Sequence, residues 1–289
     1  MNNPLSAIDL KEAVKHLDSL PSMPVIAQKL LTLNLDSDNG ERDLLKLIEQ
    51  DPQISAKIIG LSNTPLFGAS KRVTSIQDAT ILLGLTRVKS VTLGIAVMTS
   101  LIKKPSGKLD LQALWSHSLN ISLALRVISQ AMPRNTRPLD DEIFLAGLLH
   151  DIGYMVLNHI DTARSDELHT RFANDTERTW EEIEQELLEI THGELGAALA
   201  KHWDLPDSIV AVIRYHHTPE DEAALVGQPL VSMVHLAEKI LPEYGTHKGQ
   251  PQTITDEEWE SFGINPERAE ELLEKINEQV EASKAASAF

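Results

Sequence analysis

The chain of 289 residues contains no cysteine. This absence excludes disulfides, thiolate metal ligands and cysteine nucleophiles, and it is compatible with a reducing cytosol. The amino terminus lacks a basic segment followed by an apolar core, so we expect no signal peptide. No apolar run approaches the roughly 18 residues that a membrane helix needs. Together these absences predict a cytoplasmic protein that does not insert into a membrane.

The strict polar and apolar alternation of β-strands is also nearly absent, whereas helical spacing of apolar residues dominates. The sequence therefore predicts an all-α protein built as a two-part helical bundle. We place an N-terminal helical subdomain at residues 1–105, a second helical subdomain at residues 106–245, and a polar helical extension at residues 246–289. The first boundary rests on the polar, Pro- and Gly-containing segment from Lys103 to Gly107, which is typical of a linker.

Charge is distributed unevenly between the two parts, although the net charge of the chain is −17. Residues 1–110 hold 13 Lys and Arg against 11 Asp and Glu, whereas residues 111–289 hold 13 against 32. An acidic second part repels nucleic acid and attracts cations, so we expect no nucleic-acid partner.

Basic residues are concentrated between residues 51 and 108, where Asp51 and Asp78 are the only acids. This stretch is either an ordinary solvated face, docked on the acidic second part, or a surface for an acidic protein partner. The eight basic residues are Lys57, Lys71, Arg72, Arg87, Lys89, Lys103, Lys104 and Lys108.

The pair His150-Asp151 follows an apolar stretch from Ile143 to Leu149. Imidazole and carboxylate are good ligands for borderline divalent metals, but two ligands are too few for a site. Further ligand-type residues lie on separate predicted helices, and a helical bundle can bring such residues together in its core. The alternative for any single histidine is a hydrogen-bonded residue without a metal. The candidate ligands are His117, His150, Asp151, His192, His216, His217 and Glu238.

The order of these residues resembles the His…His-Asp…Asp pattern of the HD superfamily of metal-dependent phosphohydrolases, with Glu238 at the last position. His192 with Gly196, and the pair His216-His217, resemble the HD-GYP branch, in which such histidines hold a second metal. The resemblance implies one or two divalent ions. Mixed imidazole and carboxylate ligands favour iron or manganese, and nickel or zinc also suits them.

Six further motifs, four of them in the N-terminal part, are Leu20-Pro21-Ser22-Met23-Pro24, Asp51-Pro52-Gln53-Ile54, Ser62-Asn63-Thr64-Pro65, Ser75-Ile76 through Leu83-Gly84, Trp115-Ser116-His117-Ser118 and Trp203-Asp204-Leu205-Pro206. In this order they resemble the signature of a different branch, the HDOD family (HD-related output domain). The resemblance covers about residues 15 to 240. It implies an all-α architecture and a regulatory role in bacterial signalling, with an unidentified signalling protein as partner.

The chain departs from active HD-GYP enzymes at four places. Thr218 follows His216-His217, where those enzymes have a Glu, and the Gly-Tyr-Pro segment is missing. Tyr154 stands where a Lys usually contacts the substrate phosphate. Glu238 replaces the final Asp. The first three changes weaken the hydrolase interpretation more than the metal interpretation.

Two hypotheses therefore remain. The first is a signalling module with a retained HD-type metal site and little or no catalysis. The second is a metal-dependent phosphohydrolase or phosphodiesterase acting on a nucleotide or another phosphoester, with a phosphate-containing small molecule at the metal site. Asp151 would then be the catalytic residue, bridging the ions and orienting the attacking water. A wide cleft with basic or aromatic groups would favour substrate, and a closed acidic pocket would favour a structural metal.

Overall fold

The computed structural model describes residues 10, 20–63, 71–102, 107–175, 177–244, 247–248 and 252–283. Fifteen α-helices occur in these ranges: α1 Val25–Thr32, α2 Gly40–Glu49, α3 Pro52–Ser62, α4 Ile76–Leu83, α5 Leu85–Leu101, α6 Leu111–Ala131, α7 Asp140–Leu149, α8 Ile152–Ile160, α9 Thr162–Asn174, α10 Trp180–Leu188, α11 His192–His202, α12 Asp207–Tyr215, α13 Leu230–Ile240, α14 Asp256–Ser261 and α15 Ala269–Ser283. Short 3₁₀ helices span Glu222–Gly227 and Pro266–Arg268.

The predicted all-α architecture is confirmed. The strand pairing in the described ranges is a minimal antiparallel hairpin of two residues a side, Glu243–Tyr244 with His247–Lys248. Among the described residues no single helix has the length and apolarity to cross a membrane; α4 with α5, and α7 with α8, pass that test only as bent pairs.

Capping side chains fix the starts of two of the N-terminal helices, α3 and α4. Asp51 accepts hydrogen bonds from the first-turn amides of α3. Ser75 is of a residue type that caps helices, and its hydroxyl accepts a hydrogen bond from the amide of Asp78 in α4. Gly84 ends α4 with a φ of +88°, and α5 begins at the next residue. The hydroxyl of Thr86 predicts a helix cap at this residue. This prediction is wrong, because Gly84 both ends α4 and precedes the first residue of α5.

The two predicted parts share a core. Helix α5 is buried over most of its length and packs on α7 as well as on the N-terminal helices. At Gly94 of α5 an added Cβ would lie 2.6 Å from the Leu148 side chain, so glycine permits this close contact. The indole of Trp203 donates a hydrogen bond of 2.8 Å to the carbonyl oxygen of Pro21. The hydrophobic cluster consequently runs from the N-terminal part into the second part.

One element differs from the prediction in a way that matters for the site. The apolar run that leads into His150 predicts a single helix carrying both His150 and Asp151, but α7 ends at Leu149 and α8 begins at Ile152. The two helices are bent by 43° at this break. Asp151 has a φ of −98° and a ψ of 12°, outside the helical region, and its carbonyl accepts the Tyr154 amide. The pair therefore sits at a corner, from which both side chains turn inward.

The C-terminal extension is docked rather than separate. Helix α15 packs along α6, with Leu272 and Ile276 buried. The hydroxyl of Ser283 lies 2.5 Å from the Asn120 side-chain oxygen. Helix α14 contributes Trp259, which is 1% exposed.

Candidate metal centre

Five helical segments bring the seven candidate ligands to one place in the second part. His117 comes from the middle of α6, the pair His150-Asp151 from the α7–α8 corner, and Glu238 from α13. His192 is the first residue of α11, and the pair His216-His217 directly follows α12. The seven residues form two overlapping groups that share Asp151. The first group is His117, His150, Asp151 and Glu238, and the second group is Asp151, His192, His216 and His217. Within each group, every residue offers one ligand atom, and these atoms lie within 4.8 Å of one another.

The two oxygens of Asp151 face different groups. Oδ2 lies 3.3 Å from Nε2 of His150 and 3.6 Å from Nε2 of His117. Oδ1 lies 3.4 Å from Nε2 of His192 and 3.7 Å from Nε2 of His216. A carboxylate in this position could bridge two adjacent cations.

Glu238 lies along the other side of the cluster. Its Oε1 is 3.3 Å from Nε2 of His150 and 3.9 Å from Nε2 of His216. Its Oε2 is 3.4 Å from Nδ1 of His217. The additional methylene of Glu relative to Asp therefore places the carboxylate within reach of both groups.

Hydrogen bonds to the remaining ring nitrogens orient three of the histidines. Nδ1 of His150 lies 2.8 Å from the carbonyl oxygen of Gly147, and Nδ1 of His216 lies 3.0 Å from that of Val212. Since a carbonyl only accepts, each Nδ1 bears the proton and each Nε2 points into the site. Nδ1 of His192 lies 2.8 Å from Oε1 of Glu184. Such partners of the second nitrogen are characteristic of metal-binding histidines.

When each ring carries only the proton on Nδ1, the inward atoms are acceptors that face acceptors. With the proton on Nδ1, the Nε2 atoms of His192 and His216 oppose each other at 3.2 Å, beside Oδ1 of Asp151. Nε2 of His150 is buried without a hydrogen-bond partner and faces carboxylate oxygens of Asp151 and Glu238 at 3.3 Å. Protons can satisfy some of these contacts, whereas a divalent cation in each group satisfies all of them. The donor set thus fits borderline metal ions.

The charges of the cluster are strongly coupled. Burial opposes the charged form of His150, but the carboxylates of Asp151 and Glu238 outweigh it and raise its pKa to about 10. Burial likewise opposes the charged form of His217, whose pKa is raised to about 9 by Glu238 and Glu181. The neighbouring histidines lower the pKa of both Asp151 and Glu238 despite their burial. Both carboxylates are therefore ionised, and a cation bound here would displace protons from His150 and His217.

A glycine permits the approach of α11 to α8. A Cβ added at Gly153 would lie 1.8 Å from the carbonyl oxygen of His192. Thr191 and Glu194 form a capping box that fixes the first turn of α11 at the same point. The position of His192 beside Asp151 thus depends on the absence of a side chain at residue 153.

Two acidic residues outside the predicted set support the histidines. Glu184 is fully buried, and its carboxylate accepts from both the ring and the backbone amide of His192. Oε1 of Glu181 lies 3.0 Å from Nδ1 of His217. The sequence contained one signal for Glu184, because this residue falls on the same helix face as the buried Ile183 and Leu188 of α10. A buried glutamate rarely lacks a partner, so a glutamate on an apolar face predicts a paired carboxylate.

Tyr154 closes the cluster on one side. Its ring is 1% exposed and stacks on His192 with centroids 4.4 Å apart and planes inclined by 18°. Phe172 and Trp180 meet the same ring edge-on. The residue that stands in place of the phosphate-contacting Lys is therefore part of an aromatic wall.

Removing the carboxylate of Glu184 is expected to weaken metal binding in the second group, since His192 loses the partner that orients its ring. Loss of such a partner typically costs about 10–100-fold in affinity. Chelator competition should show this loss in Glu184→Ala and a smaller one in Glu184→Gln. Glu186→Ala, an exposed change on the same helix, serves as the control. Equal affinity in Glu184→Ala and Glu186→Ala would contradict the supporting role.

Comparison with known proteins places this site in context. Residues 20–219 match the family model of the HDOD domain. A protein of Geobacter sulfurreducens, described as an HDOD domain protein of unknown function, is 26% identical with a TM-score of 0.70, covering 94% of this chain and 98% of that one. A protein of Marinobacter aquaeolei VT8, provisionally named a signal transduction protein, is 26% identical with a TM-score of 0.72, covering 97% of this chain and 64% of that one.

A curated protein of Treponema pallidum (strain Nichols), described as uncharacterized, is 25% identical over 245 residues. The match covers 78% of this chain and 44% of that protein. This chain thus spans less than half the length of the curated relative.

Proposed function

The chain belongs to the HDOD family, and on that premise we propose that it is a signalling module whose second part binds one or two divalent ions with little or no catalysis. One observation supports this most strongly: two groups of four ligand-type residues share Asp151, and most of their side chains are buried. A Marinobacter relative named for signal transduction agrees with the regulatory role.

The ligand chemistry favours iron or manganese. Each group combines imidazole nitrogens with carboxylate oxygen, and the chain contains no cysteine. Hard and borderline ions accept such a mixture, and nickel or zinc would also bind it. The ions would tie α6, α8, α11 and α13 together, because each of these helices or its start provides a ligand.

The open edge of the cluster disfavours a phosphate substrate. His217 and Glu181 are about one-third exposed there and Glu238 is 16% exposed, so two of these three side chains are carboxylates. A phosphate group approaching this edge meets negative charge in a part of the chain that is already acidic. On the other side, the buried ring of Tyr154 offers no positive charge.

The alternative function is a metal-dependent phosphohydrolase acting on a nucleotide or another phosphoester. The shared position of Asp151 supports it, because this carboxylate could bridge two ions and orient a water molecule. A bound divalent ion supplies polarisation of phosphoryl oxygens and a lowered pKa of water. Residue 154 is a Tyr and not a Lys, so it cannot stabilise the phosphate oxygens with a positive charge. Such a group commonly contributes about 10²-fold or more in rate, so its loss argues against efficient hydrolysis.

We expect negligible turnover of cyclic di-GMP and at most slow hydrolysis of an activated aryl phosphodiester. The assay uses protein loaded separately with Mn, Fe(II) and Ni. The doubly substituted His150→Ala, Asp151→Ala protein is the control for contaminating phosphatases. Efficient turnover that requires metal and disappears in this control would reverse our choice in favour of the phosphohydrolase.

The proposed function includes a protein partner that binds a basic surface formed by residues between 51 and 108. Lys71 and Arg72 are exposed in the described part of this surface. Reversing both to Glu should reduce recovery of a partner from lysate, whereas Lys46→Glu, an exposed change on α2, should not. Salt should weaken the wild-type interaction as well, because exposed charges are screened. Undiminished recovery by the reversed protein would argue against this surface.

A further inference from the structure

Three arginines converge in a small cavity remote from the candidate metal centre. Arg87 lies in the first turn of α5, Arg126 in the last third of α6, and Arg137 in the connection between α6 and α7. The cavity has a volume of about 120 Å³ and also includes Asp140 at the start of α7. It is therefore lined from both parts of the chain.

The concentration of positive charge here contrasts with its surroundings. Residues 111–289 have 19 more acidic than basic residues, yet this cavity combines three guanidinium groups with one carboxylate. Burial and the nearby Arg126 lower the pKa of Arg87, whereas Asp140 opposes this shift. An anion in the cavity would act in the same direction as Asp140.

Two of the guanidinium groups have unused donors. The Nε atoms of Arg126 and Arg137 are buried and have no hydrogen-bond partner. The Arg137 side chain is nonetheless held in place, because its Nη2 donates to the carbonyl oxygens of Gln130 and Met132 at 2.9 Å each. Buried N–H groups without an acceptor are uncommon in folded proteins. Fixed guanidinium donors match the geometry of oxyanions, to which they bind through two parallel hydrogen bonds.

We propose that this arginine cavity, formed by Arg87, Arg126 and Arg137, binds a small phosphate-class oxyanion. Three cations and one carboxylate leave two positive charges, which a phosphate dianion neutralises. The volume accommodates one such group and excludes a polymer. The phosphate is either free or the end of a small phosphomonoester, since both present the same tetrahedral oxygens.

The arginine cavity is independent of the candidate metal ligands. Arg126 lies nine residues beyond His117 on α6, and Asp140 lies ten residues before His150, so each separation is roughly 14 Å along a helix. No residue belongs to both sites. An anion in the arginine cavity would join α5 to α6 and to the start of α7, the helix whose other end adjoins His150.

Isothermal titration of the full chain with orthophosphate tests the proposal. We expect saturable binding of about one phosphate per chain, insensitive to replacing chloride by acetate at constant ionic strength. Arg126→Ala and Arg87→Ala should each weaken it roughly tenfold or more, since a hydrogen bond to a charged group contributes at least that factor. Arg134→Ala removes an exposed charge from the same connection and should leave binding unchanged.

Variants and probes distinguish the remaining outcomes. Arg126→Lys keeps the charge and the fold but removes the planar fork, so it should also weaken binding if Arg126→Ala is unstable. Glycerol phosphate binding more tightly than orthophosphate would identify a phosphomonoester as the ligand, and equal binding would identify free phosphate. Phosphate binding that is unchanged in both Arg126→Ala and Arg126→Lys would place the phosphate elsewhere, for example at the metal centre, and would overturn the proposal. Binding of acetate with the same affinity would also overturn it.

Discussion

Replacing Asp151 with alanine is expected to abolish binding of both ions. Its two oxygens face the two groups separately, at 3.3 to 3.7 Å from the nearest histidine nitrogens. Loss of a partner outside the ligand set costs about 10–100-fold in metal affinity, so loss of a shared ligand should cost more at each ion. Elemental analysis after metal loading should therefore find the variant close to the background level of the buffer.

Single histidine variants separate the two groups. His117→Ala should remove the ion of the first group and retain the other, and His192→Ala should do the reverse. For the Asp151→Ala protein, the control for the lost negative charge is Asp38→Ala, an exposed change in a turn of the N-terminal part. Wild-type metal content in the Asp151→Ala protein would show that Asp151 is not a shared ligand.

Gly153→Ala is expected both to destabilise the fold and to weaken metal binding by the second group. The new Cβ would lie 1.8 Å from the carbonyl oxygen of His192 and 2.5 Å from its carbonyl carbon. These are backbone atoms, which cannot rotate away as a flexible side chain can, so α8 and α11 must separate. Overpacking of this kind costs about 1–3 kcal/mol or more. Chemical denaturation and metal titration should both report the change.

Gly60 supplies the matched control for this substitution. It lies within α3, and a Cβ added there would meet no heavy atom within 4 Å. Alanine is favoured over glycine inside a helix by roughly 0.5–1 kcal/mol, so Gly60→Ala should be neutral or stabilising. A Gly153→Ala protein as stable as Gly60→Ala, with undiminished metal binding, would contradict the close packing of α8 on α11.

Sequence patterns were sufficient to single out the candidate residues because these side chains are chemically distinctive. Histidines and acids on otherwise apolar helices stand out, and Ile121, Leu125 and Ile128 share one face with His117 at helical spacing, which is the buried face of α6. The order of the motifs then indicated which of the eleven histidines belong together. Their metal-binding role stays a prediction.

Other features depended on tertiary contacts that local patterns do not encode. An apolar residue such as Val25 at the start of a helix predicts an inward position, but Val25 is 65% exposed, since Ala27 and Leu30 occupy the buried face of the short α1. The segment of α9 is polar in composition, because its buried residues Leu168 and Phe172 are too sparse to form an apolar stripe. The support of His192 by Glu184 depends on the packing of α10 against the start of α11.

The arginine cavity also depends on tertiary contacts and could not be predicted from the sequence. Arg87 was counted only as one charge of a basic stretch, and Arg126 and Arg137 lay in a part that is acidic on average. Their convergence depends on the contact between α5 and α7 across the two parts. Average charge over a long segment therefore conceals a local reversal of sign.

Anomalous diffraction from crystals of manganese- or iron-loaded protein locates any bound ions directly. We expect one or two metal peaks beside Asp151, one among His117, His150 and Glu238 and the other among His192, His216 and His217. Data collected on either side of the metal absorption edge identify the element at each position. Absence of a peak next to Asp151 in fully loaded protein, or a metal bound only elsewhere, would contradict the account.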